Sequence, residues 1–137
     1  MGLILDTSVL VQAERSVALV REVAAELAAK YSDPVLAISV ITVAEFTHGI
    51  YRAPSPARAL KRRNFLDQIT SQLMVHDLTV EIASLTGRIE GEQAAKGIAI
   101  AFQDLVIGAT ALHLDYSVLT SNTRHFSLIP NLTILPI

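Results

Sequence analysis

Three carboxylates, Asp6, Glu45 and Asp104, are the side chains of this sequence whose positions point most clearly to chemistry. Each follows or interrupts an apolar run where a helix is predicted to start. In an alternating β/α fold, the carboxyl ends of parallel strands and the starts of the following helices share one edge of the sheet. None of the three has Lys or Arg within three residues. Converging acids would therefore repel one another unless a divalent cation neutralised them, and the pattern predicts a magnesium or manganese site.

Such a site has a characteristic chemistry. Mg²⁺ prefers hard oxygen ligands, keeps several waters and binds through a few carboxylates together with substrate phosphate. Carboxylate-held metal of this kind activates water for in-line attack on a phosphodiester. We therefore expect hydrolysis of a phosphate ester, most plausibly in nucleic acid. Asn122, which follows the apolar run ending at Thr120, is a fourth candidate: it could ligate the metal, bond a metal-bound water or simply occupy a turn.

Each acid also has a purely structural explanation. Asp6 could be a helix N-cap, and Asp104 could be a cap favoured by the helix dipole. Thr42 and Glu45 have the spacing of a capping box, in which the glutamate bonds back to the cap residue. Taken together, however, all three acids adjoin strongly apolar segments, where an unpaired charge is costly. The shared cation site is therefore the favoured interpretation.

The elements that would position these acids alternate along the chain as β-α-α-β-α-α-β-α-α-β-β. This order is typical of a single α/β domain, 1–137, with a parallel sheet flanked by helices. The helix from Asp104 is apolar all round through Leu112 and should be central. The predicted strands are 2–5, 35–38, 73–76, 117–120 and 132–135. The predicted helices begin near Val9 and Asp104, cover 17–31, 57–73 and 77–96, and run from Ser39 or Thr42 to Gly49, with a short turn at 124–126.

Composition narrows the functional classes. The chain has 137 residues, of which 51% are hydrophobic and 18% charged, and its net charge is −2, so nucleic-acid binding would need a local basic patch. The densest one is 52–63, with five Lys and Arg and no acid. The absence of cysteine excludes disulfides and thiolate chemistry. No basic leader precedes the apolar start, and no apolar stretch reaches the roughly 18 residues of a membrane helix, so we expect a soluble, cytoplasmic protein.

Several other site types find no support. The sequence contains no GxxxxGK[ST] or GxGxxG loop and no GxSxG elbow. His76, His113 and His125 do not have the spacing of zinc ligands.

Four segments carry a resemblance to a known family. Leu3–Ser8, Ile38–Glu45, Asp104–Ala111 and Leu119–Phe126 resemble, in order, the successive motifs of PIN-domain proteins, with the closest likeness to VapC toxins of bacterial toxin–antitoxin pairs. The likeness spans essentially the whole chain. It implies a three-layer α/β/α sandwich with a mainly parallel central sheet. It also implies a Mg²⁺- or Mn²⁺-dependent endoribonuclease acting on RNA, usually a homodimer held inactive by a VapB antitoxin.

The resemblance also assigns roles to residues. Asp6, Glu45 and Asp104 would be the acidic metal-binding residues, and Asn122 stands where many PIN proteins have a fourth acid, which puts a second metal in doubt. Thr7, Ser8 and Thr120 would support the site through hydroxyl hydrogen bonds. Arg124, Arg62 and Arg63 are the predicted contacts to RNA or antitoxin. For the basic cluster as a whole, a solvated helix face is the alternative.

Three other interpretations remain open. The chain could be a catalytically silent PIN domain that only binds, or a PIN nuclease of RNA processing without an antitoxin. A small antitoxin-like reading frame just upstream would separate a toxin from a processing enzyme. A receiver-like domain with an acidic Mg²⁺ pocket is disfavoured, because it needs two acids after its first strand and a lysine near its last strands. Asp6 stands alone, and no lysine follows Lys96.

Overall fold

A five-stranded parallel sheet organises the chain, and the computed structural model describes all residues, 1–137. Hydrogen bonding places the strands in the order β3-β2-β1-β4-β5. The strands are β1 Gly2–Leu5, β2 Val35–Ser39, β3 Met74–His76, β4 Ser117–Thr120 and β5 Ile134–Pro136. The helices are α1 Thr7–Arg15, α2 Val20–Tyr31, α3 Val40–Tyr51, α4 Pro56–Gln72, α5 Val80–Ala94, α6 Phe102–Leu114 and α7 Thr123–Phe126. The predicted α/β class and parallel sheet are confirmed.

Both faces of the sheet are covered, as expected for parallel strands. Side chains alternate along β1, so Leu3 and Leu5 pack into one hydrophobic cluster and Ile4 into the other. The first cluster includes Phe46 of α3 and Phe65 of α4. The second joins the sheet to α5 and α6, and residues 105–111 of α6 are all buried. The predicted central position of this helix is confirmed.

The chain changes direction at β1. It first moves outward through β2 and β3, and then returns to place β4 on the opposite side of β1. All four strand pairs are parallel, so every strand presents its carboxyl end to the same edge. In open α/β sheets the crevice outside the carboxyl ends at such a reversal is the usual ligand site.

The helix boundaries differ from the predictions in ways that bear on the acids. Helix α6 begins at Phe102 with Ala101 as its N-cap, so Asp104 lies within the first turn rather than at the start. Helix α3 is capped by Ser39, whose hydroxyl accepts from the Ile41 amide at 3.2 Å. Helix α2 starts at Val20 instead of Val17, because Val17 adopts a left-handed φ of 58° in the preceding turn.

No helix combines the length and the apolar character that spanning a bilayer requires.

Candidate active site

Asp6 is fixed at the end of β1 by two hydroxyl groups. Its backbone amide donates to the Leu119 carbonyl of β4 at 2.9 Å, which ties the two strand ends together. Its side chain is only 4% exposed, and its Oδ2 accepts from Ser8 Oγ and from Thr120 Oγ1, each at 2.7 Å. Asp6 is the N-cap residue of α1 by position, as predicted, but its carboxylate makes no capping bond to that helix. Oδ1 has no protein donor and is the oxygen left for a ligand.

The carboxylate of Glu45 in α3 accepts its hydrogen bond from a residue of α1 rather than from a residue of its own helix. Thr7 Oγ1 donates to Glu45 Oε1 at 2.7 Å and lies 3.0 Å from Thr42 Oγ1. Because the single hydroxyl proton of Thr7 goes to Glu45, Thr42 is the donor in the second bond. The capping-box interpretation is wrong, since Thr42 lies inside α3 and Ser39 is the cap. Thr42 is thus a supporting residue that the sequence reasoning missed.

Asp104 enters from the opposite side of the crevice. Because α6 leads into the parallel strand β4, it begins at the carboxyl edge of the sheet, and the first turn carries Asp104 there. His125 Nδ1 of α7 lies 3.7 Å from Asp104 Oδ2. From the sequence, His125 was considered only as a zinc ligand, and its contact with Asp104 was not predicted. Its place three residues after Asn122, in the segment that follows β4, was the available signal.

The three carboxylates influence one another electrostatically. Burial raises the pKa of Glu45; the Thr7 hydrogen bond lowers it, and the charges of Asp6 and Asp104 raise it further. Burial likewise raises the pKa of Asp104, the charge of Asp6 adds to this, and His125 opposes it. No Lys or Arg forms an ion pair with any of them.

In the structure, no three His, Cys, Asp or Glu side chains are arranged so that they could bind one metal ion together. Like charges without a cation between them are expected to separate. The available donors are nevertheless all carboxylate oxygens on buried or partly buried side chains, and no Lys or Arg forms an ion pair with them. That chemistry fits Mg²⁺ or Mn²⁺ and does not fit a softer metal.

Asn122 and Thr120 extend the same edge from β4. The backbone amide of Asn122 donates to Thr120 Oγ1 at 2.8 Å, and the backbone amide of Ser121 donates to Ser8 Oγ at 3.3 Å. The backbone of Asn122 starts α7, but its side chain makes no capping bond. Asn122 is therefore an exposed residue at the start of α7 whose side-chain amide makes no hydrogen bond to the protein. A role for that amide as a ligand stays a prediction.

The predicted arginines fall into different surroundings. Arg62 is half-buried, donates from Nη1 to the Gly49 carbonyl at 2.6 Å, and lines a groove shared with Glu45. Arg63 does not line this groove; its guanidinium lies over the Tyr51 ring, 5.9 Å from the centroid. Arg124 is exposed on α7 between Asn122 and His125.

Comparison with known families decides what kind of domain this is. The model of the PIN domain matches residues 3–132. The chain belongs to the PIN-domain family. The resemblance seen in the four sequence segments is thereby confirmed.

Named relatives of this PIN domain are ribonucleases. The chain is 28% identical over 137 residues to "Ribonuclease VapC" of Rickettsia bellii, covering 100% of this chain and 97% of the relative. It is 32% identical over 99 residues to "tRNA(fMet)-specific endonuclease VapC" of Salmonella typhimurium, covering 72% and 73%. A structural neighbour is the VapBC2 complex of Rickettsia felis bound to a promoter DNA fragment, with a TM-score of 0.82 and 27% identity, covering 100% and 99%.

The hydroxyl of Thr120 offers a direct test of how Asp6 is held. Thr120→Val keeps the buried shape but removes the bonds to Asp6 Oδ2 and to the Asn122 amide. We expect a loss of about 1–3 kcal/mol in the free energy of unfolding and a loss of roughly 10- to 100-fold in metal affinity or cleavage rate. Thr86→Val is the matched control, because its buried hydroxyl bonds the Ile82 carbonyl at 2.7 Å on α5. Equal effects of the two variants on cleavage would contradict the assignment.

The pH dependence of stability provides a second test. In the metal-free protein, burial and repulsion hold the pKa of Glu45 above its ordinary 4.5. At pH values between the ordinary and the raised pKa, the folded chain binds more protons than the unfolded chain. The free energy of unfolding therefore falls as pH rises through this range. Glu45→Gln should therefore exceed the wild type in Tm most clearly near neutral pH, and the gap should shrink as pH falls. Thermal unfolding in EDTA across this range checks it; a pH-independent gap would refute it.

Proposed function

We propose that this PIN domain is an endoribonuclease of the VapC type, hydrolysing RNA phosphodiester bonds with carboxylate-held Mg²⁺ or Mn²⁺. The observation that carries the proposal is the placement of Asp6, Glu45 and Asp104 at the carboxyl edge of the parallel sheet, with no Lys or Arg paired to any of them. The names of the relatives support ribonuclease activity. The identity of the metal rests on the chemistry of the donors.

The residues of the chain divide the work of such a reaction. Asp6 through Oδ1, with Glu45 and Asp104, would hold the ion, which when bound supplies an activated water and offsets charge on the phosphate. Ser8 and Thr120 orient the carboxylate of Asp6 by donating hydrogen bonds to its other oxygen. Thr7, backed by Thr42, fixes one oxygen of Glu45 in the same way.

Water as the nucleophile determines the products. In-line attack on the scissile phosphorus breaks the bond to the 3′-oxygen, so the products carry a 5′-phosphate and a 3′-hydroxyl. We expect these ends from the wild-type protein in Mg²⁺, identified by end-labelling and by digestion with a 5′-phosphate-dependent exonuclease. Ends with a 2′,3′-cyclic phosphate would show that the ribose hydroxyl attacks instead and would refute the mechanism. An identically purified Asp6→Asn protein exposes any contaminating nuclease.

A partner antitoxin is the second part of the proposal. The Rickettsia felis neighbour was solved as a VapBC complex, and the Salmonella typhimurium VapBC neighbour has a TM-score of 0.82 at 26% identity. Expression of this chain alone should arrest growth, Asp6→Asn should not, and co-expression of a small protein encoded just upstream should restore growth and suppress cleavage. If the chain cleaves RNA but neither arrests growth nor has an upstream-encoded partner, an RNA-processing enzyme would be favoured. The homodimer that the resemblance implies stays a prediction. Light scattering of the purified chain would test it.

A further inference from the structure

Two hydroxyl groups bond to the same oxygen of Asp6. Ser8 Oγ and Thr120 Oγ1 each lie 2.7 Å from Oδ2 of this buried carboxylate. The hydroxyl of Ser8 also accepts from the backbone amide of Ser121 at 3.3 Å. The hydroxyl of Thr120 accepts from the backbone amide of Asn122 at 2.8 Å. Because an amide N–H can only donate, each hydroxyl directs its own proton to Asp6, and the direction of all four hydrogen bonds is fixed.

This arrangement leaves Asp6 with a single oxygen for a metal ion. A carboxylate oxygen has two lone pairs, and the two hydroxyl donors occupy both lone pairs of Oδ2. Hydrogen bonds from hydroxyls to an ionised carboxylate at this distance are short and strong, so an ion does not displace them easily. Oδ1 accepts no hydrogen bond from the protein. Asp6 is therefore restricted to monodentate ligation through Oδ1.

The oxygens of the other two acids are less restricted. Glu45 Oε1 accepts one hydrogen bond, from Thr7 Oγ1 at 2.7 Å, and so keeps a lone pair. Neither oxygen of Asp104 accepts a hydrogen bond, since His125 Nδ1 lies 3.7 Å from Oδ2. Hydroxyl groups therefore saturate one oxygen at Asp6, occupy one oxygen partly at Glu45 and leave both oxygens of Asp104 free.

We propose that Ser8 and Thr120 determine which ion the acidic site binds, favouring Mg²⁺ or Mn²⁺ over Ca²⁺. The inference rests on the proposed metal-dependent function and names residues that control ion selectivity at the same site. Ca²⁺ takes about six to eight oxygen ligands and often binds both oxygens of a carboxylate, whereas Mg²⁺ is octahedral and keeps several waters. Because the second oxygen of Asp6 is withheld, the site offers too few protein oxygens for Ca²⁺ and enough for an ion that retains water.

The test measures metal binding in the absence of RNA. The double variant Ser8→Ala/Thr120→Val frees both lone pairs of Asp6 Oδ2. The matched control is Ser71→Ala/Thr86→Val, whose lost hydroxyls bond helix carbonyls in α4 and α5. Electron paramagnetic resonance of free Mn²⁺ gives the Mn²⁺ affinity, and competition by Mg²⁺ and by Ca²⁺ gives the other two. Mg²⁺ should compete better than Ca²⁺ for the wild type, and the double variant should shift the ratio of these affinities toward Ca²⁺ by at least about tenfold. Thr120→Ser keeps the hydroxyl and should keep the wild-type ratio.

The ratio of affinities separates selectivity from general damage, because a loosened site weakens the binding of all three ions alike. If the double variant has the same ratio as the control, or if the wild type binds Ca²⁺ as tightly as Mg²⁺, the selectivity role is refuted, and RNA cleavage by the wild type would leave the ribonuclease standing. A shifted ratio with no cleavage by the wild type would support the selectivity role and refute the ribonuclease. A wild type that binds no ion would overturn both. If the double variant does not fold, Ser8→Ala alone supplies the comparison, because the Ser121 amide that it leaves is exposed to water.

Discussion

Asp104→Asn is expected to lower kcat for RNA cleavage by at least about a thousandfold while raising the Tm of the metal-free protein. The change removes a carboxylate proposed to hold the metal, so catalysis is lost. It also removes a charge that burial and Asp6 disfavour, as the raised pKa of Asp104 indicates. Loss of activity with a gain in stability distinguishes a functional carboxylate from a structural one. Single-turnover cleavage and thermal unfolding in EDTA measure the two effects.

Asp115→Asn is the matched control for this prediction. Asp115 is exposed at the other end of α6 and has a left-handed φ of 57°, a conformation that asparagine also tolerates. This variant should cleave RNA at nearly the wild-type rate, and the Tm of the metal-free protein should not rise. If Asp104→Asn cleaved RNA at a comparable rate, Asp104 would be a first-turn helix residue only. If it unfolded at a lower temperature than the wild type, the proposed repulsion would be wrong.

Phe126→Ala is expected to reduce the free energy of unfolding by about 3–5 kcal/mol. Phe126 is fully buried and belongs to the cluster that also contains Ile4 of β1 and Leu105 of α6. It is the residue that anchors α7, a helix of four residues carrying Arg124 and His125. Removing the ring leaves a cavity and frees the segment that places His125 beside Asp104. Urea unfolding of the two proteins gives the difference directly.

An exposed aromatic residue provides the comparison for Phe126. Tyr51 is 77% exposed, so Tyr51→Ala should change the free energy of unfolding by no more than about 0.5 kcal/mol. Cleavage by folded Phe126→Ala should also fall, because α7 would no longer be held against the core. A cost below about 1 kcal/mol would show that the core closes around the missing ring. It would then follow that α7 is positioned by its connection to β4 alone.

The strands were predictable where burial on both sides produces a continuous apolar run. Strands β1 and β4 have the predicted bounds, and the four residues of β1 are all buried. Strand β5 was predicted two residues too early, because an edge strand that is only partly buried carries a weaker pattern. The start of α2 was missed because it depends on the left-handed turn at Val17, a conformation that β-branched residues rarely adopt.

The placement of the three acids at the carboxyl edge of the sheet was predictable because they adjoin apolar segments, and their role as a site stays a prediction. Their supporting groups were predictable only in part. Thr42 is polar but fully buried, and its partner Thr7 is 35 positions away in the sequence. The contact between His125 and Asp104 likewise depends on how α7 docks against α6. Which residues of the basic cluster 52–63 lie near Glu45 could not be predicted either, because the packing of α4 against α3 brings Arg62 to the groove beside Glu45 and leaves Arg63 outside it.

The most direct test of the central claim is cleavage of total cellular RNA by the purified chain in Mg²⁺, in Mn²⁺ and in EDTA, with an identically prepared Asp6→Asn protein alongside. The carboxylate site predicts cutting in either metal, none in EDTA, recovery when excess Mg²⁺ is restored, and none by the variant under any condition. Cutting by the wild type in EDTA, or equal cutting by Asp6→Asn, would contradict a metal-dependent site built on Asp6. Absence of cutting by folded, antitoxin-free protein on every class of RNA would identify a PIN domain that binds without catalysis.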